Sequence, residues 1–372
     1  MAVANKLYTG QTLIAQAAAW LEDSLSKDWS VEISPARGRD TSAPPEEGKI
    51  SLRDPDGRVA TVAVEERRSI SPRGVIELLP QVRTARNMGA DLPLLVVAPW
   101  ISKRTQKLLA EQDINYIDLT GNSLLRVDSP SVFVRTEGSA RNPAPKDRGQ
   151  VRLRGAKAGR LIRLLADVRP PYGVGELAKA AGLAPGYVSR LLDALYREAL
   201  LERSPRGPVE SVDVAGLLRR WTTSYEVFKS NPARAGFVAP SGLDEVLTAL
   251  RKEGAPGKLA VTGSFAASRL EPVTAPRLLL AYSDSPAEVA TRFGLLEAEQ
   301  GANVILLQPF DPVVWERGAS EEGLRFAAPS QVAVDCLTGN GRMPAEGEAL
   351  LQWMLVNERE WRAESLREVT RP

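Results

Sequence analysis

The spacing of apolar residues changes rhythm along the chain. Near the N-terminus, "GQTLIAQAAAWLEDSL" has helical spacing and predicts an amphipathic helix over 10–26. Shorter alternating or continuous apolar runs follow. They predict strands at 29–34, 49–54 and 58–66, a helix at 72–88, a strand at 93–98, a helix at 102–112, a strand at 115–119 and a hairpin through 124–135. "RDPDGR" is a turn between two of these strands. "PLLVVAPW" is apolar without alternation, as expected of a central strand covered on both faces.

The middle of the chain returns to helical spacing. "KAGRLIRLLADV", 157–168, carries Leu161, Ile162, Leu164, Leu165 and Val168 on one stripe, and "RPPYG" then breaks it. A short helix is predicted over 174–181. Gly182 follows in a tight turn, free to take the left-handed conformation, and Pro185 suits the first turn of the next helix. That helix turns Val188, Leu191, Leu192 and Leu195 inward and Tyr187, Ser189, Arg190 and Arg197 outward. "LLERSPRGPVESVDV", 200–214, reads as strand, basic turn and strand. Further on, "LAVTGSFAASRL" (259–270) reads as strand, Gly-Ser turn and helix, and "RLLLAYSD" (277–284) as a strand. "NVILLQPFDPVVWE" (303–316) is a buried strand with a turn, and 328–355 is two helices around a Gly-rich break.

Proline and glycine place the boundaries. "SPARGRDTSAPPEEG", 34–48, is a loop within a domain. "EGSARNPAPKDRGQ", 137–150, is a linker, and "SNPARAG", 230–236, is a softer boundary. The expected domains are 1–145, 151–222 and 230–372. Charge sharpens this division. The whole chain is only +2, but residues 151–222 hold 13 Lys/Arg against 7 Asp/Glu, a net of +6. Residues 1–150 hold 20 against 19, and residues 223–372 hold 15 against 20. One positively charged segment between near-neutral and acidic neighbours is the pattern of a chain with one nucleic-acid-facing module.

Composition removes several chemistries. There is no histidine, which excludes a Ser-His-Asp triad and histidine-bearing metal sites. The single cysteine, Cys336, forms no internal disulfide; it suits a reducing cytoplasm and reads as a buried small hydrophobe. Asp335 beside it reads as a local cap or pair. No stretch reaches the about 18 apolar residues of a membrane span, and the N-terminus has no signal-peptide core. The expected setting is the cytoplasm, at the nucleoid. No cofactor and no bound metal are expected.

The segment around "ELAKAAGLAPGYVSRLLDAL" resembles a winged helix-turn-helix: Ala178, Gly182 and Val188 fill its small, glycine and branched positions. The resemblance implies that the second helix enters the major groove by its N-terminal end. Pro185, Gly186, Tyr187, Ser189, Arg190 and Arg197 would then meet bases or phosphates, with Arg190 the best candidate for guanine. Arg203 and Arg206 would act from the wing, and Arg154 and Lys157, with Arg152 and Arg160, would add basic charge just before the motif.

The element order of the N-terminal segment resembles the restriction-endonuclease-like PD-(D/E)xK fold. In "LRDPDGRVATVAVEERRS", Asp54 or Asp56 with Glu65 and Glu66 would be the metal carboxylates. The lysine place holds Arg67 or Arg68, which stay protonated and serve poorly as a base. The expected domain is therefore a non-cutting copy. "NYIDLTGNSLLRV", 115–127, looks like a segment of actinobacterial regulators related to AbiEi-like antitoxins of type IV toxin–antitoxin systems. Its Tyr116, Asp118 and Asn122 are either a strand end with an Asx-turn or a contact surface. "LAVTGSFAASRL" resembles the opening of a nucleotidyltransferase fold, in which Gly263 and Ser264 would cradle phosphate. Leu279 and Ala281 stand where its metal-binding carboxylates belong, and Asp284 comes too late, so no nucleotidyl transfer is expected.

The fold class expected is thus multidomain α/β: a restriction-endonuclease-like domain, a central winged helix-turn-helix and a nucleotidyltransferase-like C-terminal domain. The function expected is a sequence-specific, non-enzymatic transcriptional regulator. It would bind a pseudo-palindromic double-stranded operator as a homodimer, with an effector ligand or cognate toxin as a further partner. The alternatives are a divergent Mg²⁺-dependent nuclease and an antitoxin or protein-interaction scaffold.

Overall fold

The computed structural model describes residues 12–35, 48–87, 92–143, 153–204 and 207–369. They belong to two compact units, 1–149 and 150–372. Most of the 34–48 loop and residues 144–150 of the expected linker lie outside the described residues.

The first unit runs α1 (Leu13–Ser24), β1 (Ser30–Pro35), β2 (Gly48–Arg53), β3 (Val59–Glu66), α2 (Pro72–Asn87), β4 (Leu94–Ala98), α3 (Lys103–Glu111), β5 (Asn115–Asp118), β6 (Ser123–Val127) and β7 (Val132–Thr136). The seven strands pair in chain order. The β3–β4 and β4–β5 pairs are parallel and the rest antiparallel. Strand β4 shows why its sequence is apolar throughout. Successive side chains point to opposite faces. Leu95 and Val97 pack in one core with Ile14, Ala17 and Leu21 of α1, while Val96 and Ala98 pack in the other with Val75 and Leu78 of α2 and Leu109 of α3.

The second unit begins with α4 (Gly155–Asp167), α5 (Val174–Ala181), α6 (Pro185–Arg197), β8 (Leu201–Arg203), β9 (Val209–Val212) and α7 (Val214–Trp221). It continues α8 (Val227–Ser230), β10 (Arg234–Val238), α9 (Leu243–Glu253), β11 (Leu259–Thr262), α10 (Gly263–Leu270), β12 (Leu279–Ser283), α11 (Pro286–Arg292), β13 (Leu296–Glu297), β14 (Val304–Leu307), β15 (Ala319–Glu321) and β16 (Leu324–Phe326). It closes with α12 (Pro329–Leu337), α13 (Met343–Val356), α14 (Glu358–Trp361) and α15 (Leu366–Val369). The larger sheet has the order β13-β10-β14-β12-β11-β16-β15. The chain is therefore mixed α/β, with a central helix-turn-helix between two sheet-bearing segments.

One apolar core runs from α4 and α6 to β11, β12 and α12. Gly159 marks where α4 is pressed hardest: a Cβ there would lie 2.8 Å from the Phe310 ring and 3.3 Å from Trp221. Among the described residues, no helix is long and apolar enough to cross a membrane.

Candidate nucleic-acid interface

The helix-turn-helix is built from local signals. Glu176 accepts from the Gly173 amide at 2.7 Å and closes the first turn of α5. Gly182 ends the helix at φ 63°, and the Leu183 amide donates to the Ala178 carbonyl at 2.9 Å. Pro185 starts α6 where its missing N–H has no helical partner to lose. Val188, Leu191, Leu192 and Leu195 are buried, so the first turns of α6 must show their other side to solvent.

That side holds Pro185, Gly186 and Arg190, all exposed, with Ser189 half-buried. Arg190 makes no ion pair among the described residues. Tyr187 is half-buried against the core, and burial raises its hydroxyl pKa. Arg197 is exposed and donates to the Asp193 carbonyl at 3.4 Å. Arg154 and Lys157 are exposed at the start of α4.

The wing is the antiparallel pair β8–β9, with an irregularity between Glu202 and Arg203. Arg203 does not project into solvent. Its side chain is only 7% exposed, and its Nη1 lies 3.5 Å from Asp193 Oδ1, tying the wing to α6. Arg206 lies outside the described residues, as does Arg152.

The positive surplus of this segment is partly spent inside the unit. Arg160 binds both Asp311 oxygens through Nε at 3.1 and 3.0 Å. Arg219 pairs with Glu348 at 2.6 Å and Arg169 with Glu364 at 3.9 Å. All three acids come from the acidic C-terminal segment. Among the described residues, the cations left to face solvent at the helix-turn-helix are fewer than the net charge of +6 implies.

The other sequence candidates are held in structural roles. Asp54 accepts from the Arg58 amide and Nε, both at 2.8 Å, and Asp56 from Arg58 Nη2 at 2.6 Å; together they close the β2–β3 turn. Glu65 is buried near the far end of β3, with Arg67 Nη2 2.7 Å away, and Glu66 accepts from the Ile14 amide at 2.9 Å. Val59 to Glu65 spans six strand steps, roughly 20 Å at about 3.3 Å per residue. The structure therefore does not bring Asp54 or Asp56 to Glu65 and Glu66. No group of three or more Asp, Glu or Cys suited to a metal occurs among the described residues.

Asp118 accepts five hydrogen bonds, from the amides of Ile101, Thr120 and Asn122 and the side chains of Thr120 and Asn122, at 2.7–3.1 Å. Asn122 then binds the Gly138 amide and the Ser139 carbonyl. Tyr116 packs beneath α3, and burial raises its hydroxyl pKa. Gly263 has φ 64°, and a Cβ there would meet Leu280 and Met343 at 3.2 Å. Ser264 donates to buried Glu346. Both residues are engaged in packing at the β11–α10 turn.

Two buried polar groups reach further than the local pairing expected of Asp335. Arg163 and Asp167 pair within α4 and reach Arg317, Ser330 and Gln331. Asp335 sits among Thr262, Tyr225, Tyr282 and Gln331. The one sequence signal was Arg163 and Asp167, two charges one turn apart in an otherwise apolar helix.

Comparison with known proteins decides the nature of the central module. Residues 156–205 match the family model of the IclR helix-turn-helix domain. The chain carries an IclR-type helix-turn-helix DNA-binding domain. The matched stretch spans most of α4 together with α5, α6 and β8. No curated protein and no solved structure matches the chain. The domain marks the chain as a DNA-binding transcriptional regulator.

Proposed function

We propose that this chain is a sequence-specific regulator that reads a pseudo-palindromic operator as a homodimer. The observation that carries the reading is the IclR-type match over a helix-turn-helix whose α6 exposes Pro185, Gly186 and Arg190 beside Ser189. Helix α6 enters the major groove by its N-terminal turns, with Arg190 directed at a guanine edge. Arg154 and Lys157 contact phosphate. Arg203 acts indirectly, by fixing the wing against Asp193, and Arg206 is kept as a contact to phosphate or the minor groove on its sequence position alone. One module offers few base contacts, so two copies on half-sites about 34–36 Å apart supply the specificity.

The segments 1–145 and 230–372 serve dimerisation or the sensing of an effector or a cognate toxin, and no cofactor is used. A restriction-endonuclease-like origin for the first is supported by its order of helix, three-stranded meander, crossover helix and parallel strand. A nucleotidyltransferase-like origin for the last is supported by the strand, Gly-Ser turn, helix and antiparallel strand over β11–β12. The relation to AbiEi-like antitoxins rests on the 115–127 segment. The protein acts at the nucleoid. Selection of bound duplexes from a random pool at moderate salt tests the reading: enrichment of a symmetric site is expected, and no enrichment overturns it.

A further inference from the structure

The α/β segment of the second unit grips α4 of the helix-turn-helix with buried charge. Arg163 is fully buried. It donates through Nε to Asp167 at 3.1 Å, through Nη1 to the Val313 carbonyl at 3.3 Å and Gln331 Oε1 at 3.0 Å, and through Nη2 to the Glu316 carbonyl at 3.0 Å. Asp167 receives Arg317 Nε at 2.7 Å and the Ser330 hydroxyl. Burial pushes the Asp167 carboxyl up, but Arg163 and Arg317 hold it below its ordinary value, so it stays charged.

Three further anchors act on the same helix. Arg160 pairs with Asp311, and Gly159 seats Phe310. The C-terminal tail crosses the end of α4. There Arg362 donates to the Leu165 and Val168 carbonyls at 3.2 and 2.6 Å, and the Ala363 amide donates to the Asp167 carbonyl at 2.9 Å.

An apolar contact tolerates sliding, because dispersion and burial are non-directional. A buried ion pair does not, since any shift leaves a charge without its partner. The seam therefore has one good register. Its partner helix α12 carries Ser330, Gln331 and Asp335, and Gln331 bridges Arg163 to Asp335, whose carboxyl accepts Gln331 Nε2 at 2.9 Å. We propose that this seam is a positioning device. Gln331, Arg317 and Asp167 fix the angle at which the α/β segment presents α6, so the half-site spacing read by a dimer is set there. The proposal rests on the DNA-binding reading above.

The test uses the full chain, with Gln331→Met and Arg317→Met. Each protein is measured on the selected two-half-site duplex, on duplexes with one or two base pairs added to or removed from the spacer, and on a single half-site. Wild type is expected to lose roughly tenfold or more in affinity on the altered spacers. The variants are expected to bind the single half-site within about twofold of wild type and to lose most of the spacer discrimination. Folded variants that keep the wild-type spacer preference overturn the proposal, as does a wild type indifferent to spacing. Equal loss on the single half-site shows a merely structural role and also overturns it. Gln331→Met removes no charge, so it keeps the test open if Arg317→Met does not fold. A wild type that enriches no DNA at all defeats the DNA-binding reading itself, and this proposal with it.

Discussion

The sharpest prediction concerns Asp335, a fully buried carboxylate with no ion pair among the described residues. It accepts from the Thr262 hydroxyl at 2.6 Å, Tyr225 at 2.7 Å, Tyr282 at 2.9 Å and Gln331 Nε2 at 2.9 Å. Burial outweighs these donors and pushes its pKa from 3.8 up to about 6. The folded protein thus holds this proton more tightly than the unfolded chain does. The stabilisation is fully present below about pH 4 and is lost as pH rises through about 6. At about 1.4 kcal/mol per tenfold change in proton affinity, the loss is ~3 kcal/mol. Asp335→Asn mimics the protonated form. The hydroxyls of Thr262, Tyr225 and Tyr282 can rotate to accept from its amide, while its oxygen still faces Gln331. The variant is expected to match wild type near pH 4 and to exceed it above pH 6.5. For a unit of this size, ~3 kcal/mol corresponds to roughly 6–12 °C in Tm. Calorimetry of both proteins from pH 4 to 8 reads the difference directly, since other titrating groups cancel in the comparison. A Tm difference that does not change across this range would show that Asp335 does not titrate with a raised pKa.

Arg190→Ala should cost about 1–3 kcal/mol on the selected duplex and relax the preference at one base position, measured by fluorescence anisotropy on single-base variants. Lys157→Ala should weaken all sequences alike and flatten the slope of log affinity against log salt by about 0.9. Gly182→Ala forces a side chain into a left-handed turn at φ 63°, and should cost ~1 kcal/mol in a thermal melt without touching the DNA-facing residues. Asp118→Asn sets an amide against two of the donors that fold the 118–122 loop. It should destabilise the first unit by about 2–4 kcal/mol in urea; an unchanged midpoint would show that the loop does not depend on this carboxylate.

The helix-turn-helix was legible because its determinants are local. Ala178, Gly182, Pro185 and the Val188–Leu195 stripe lie within eighteen residues, and each acts through backbone conformation or helical spacing. Strand β4 was legible for the same reason: its unbroken apolar run already implies cover on both faces. Charge was less transparent. The count located the basic segment, but a sum over residues does not show that Arg160, Arg169 and Arg219 turn to acids far along the chain. Arg203 illustrates the limit on a smaller scale, since Asp193, ten positions away, draws it off the wing surface.

The local elements, the turn chemistry, the lack of histidine chemistry and the place of the DNA-binding module can all be read from residue order alone. Tertiary structure decided which polar groups meet. Asp54 and Glu65 share one hairpin, yet the extended strand between them holds them apart. Arg163 and Gln331 are 168 residues apart in the chain and 3.0 Å apart in space. Helical and strand periodicity arise from neighbours a few residues away, so spacing reveals them. A buried ion pair is selected by the one partner that can neutralise it after folding, and nothing in the local spacing of either residue names that partner.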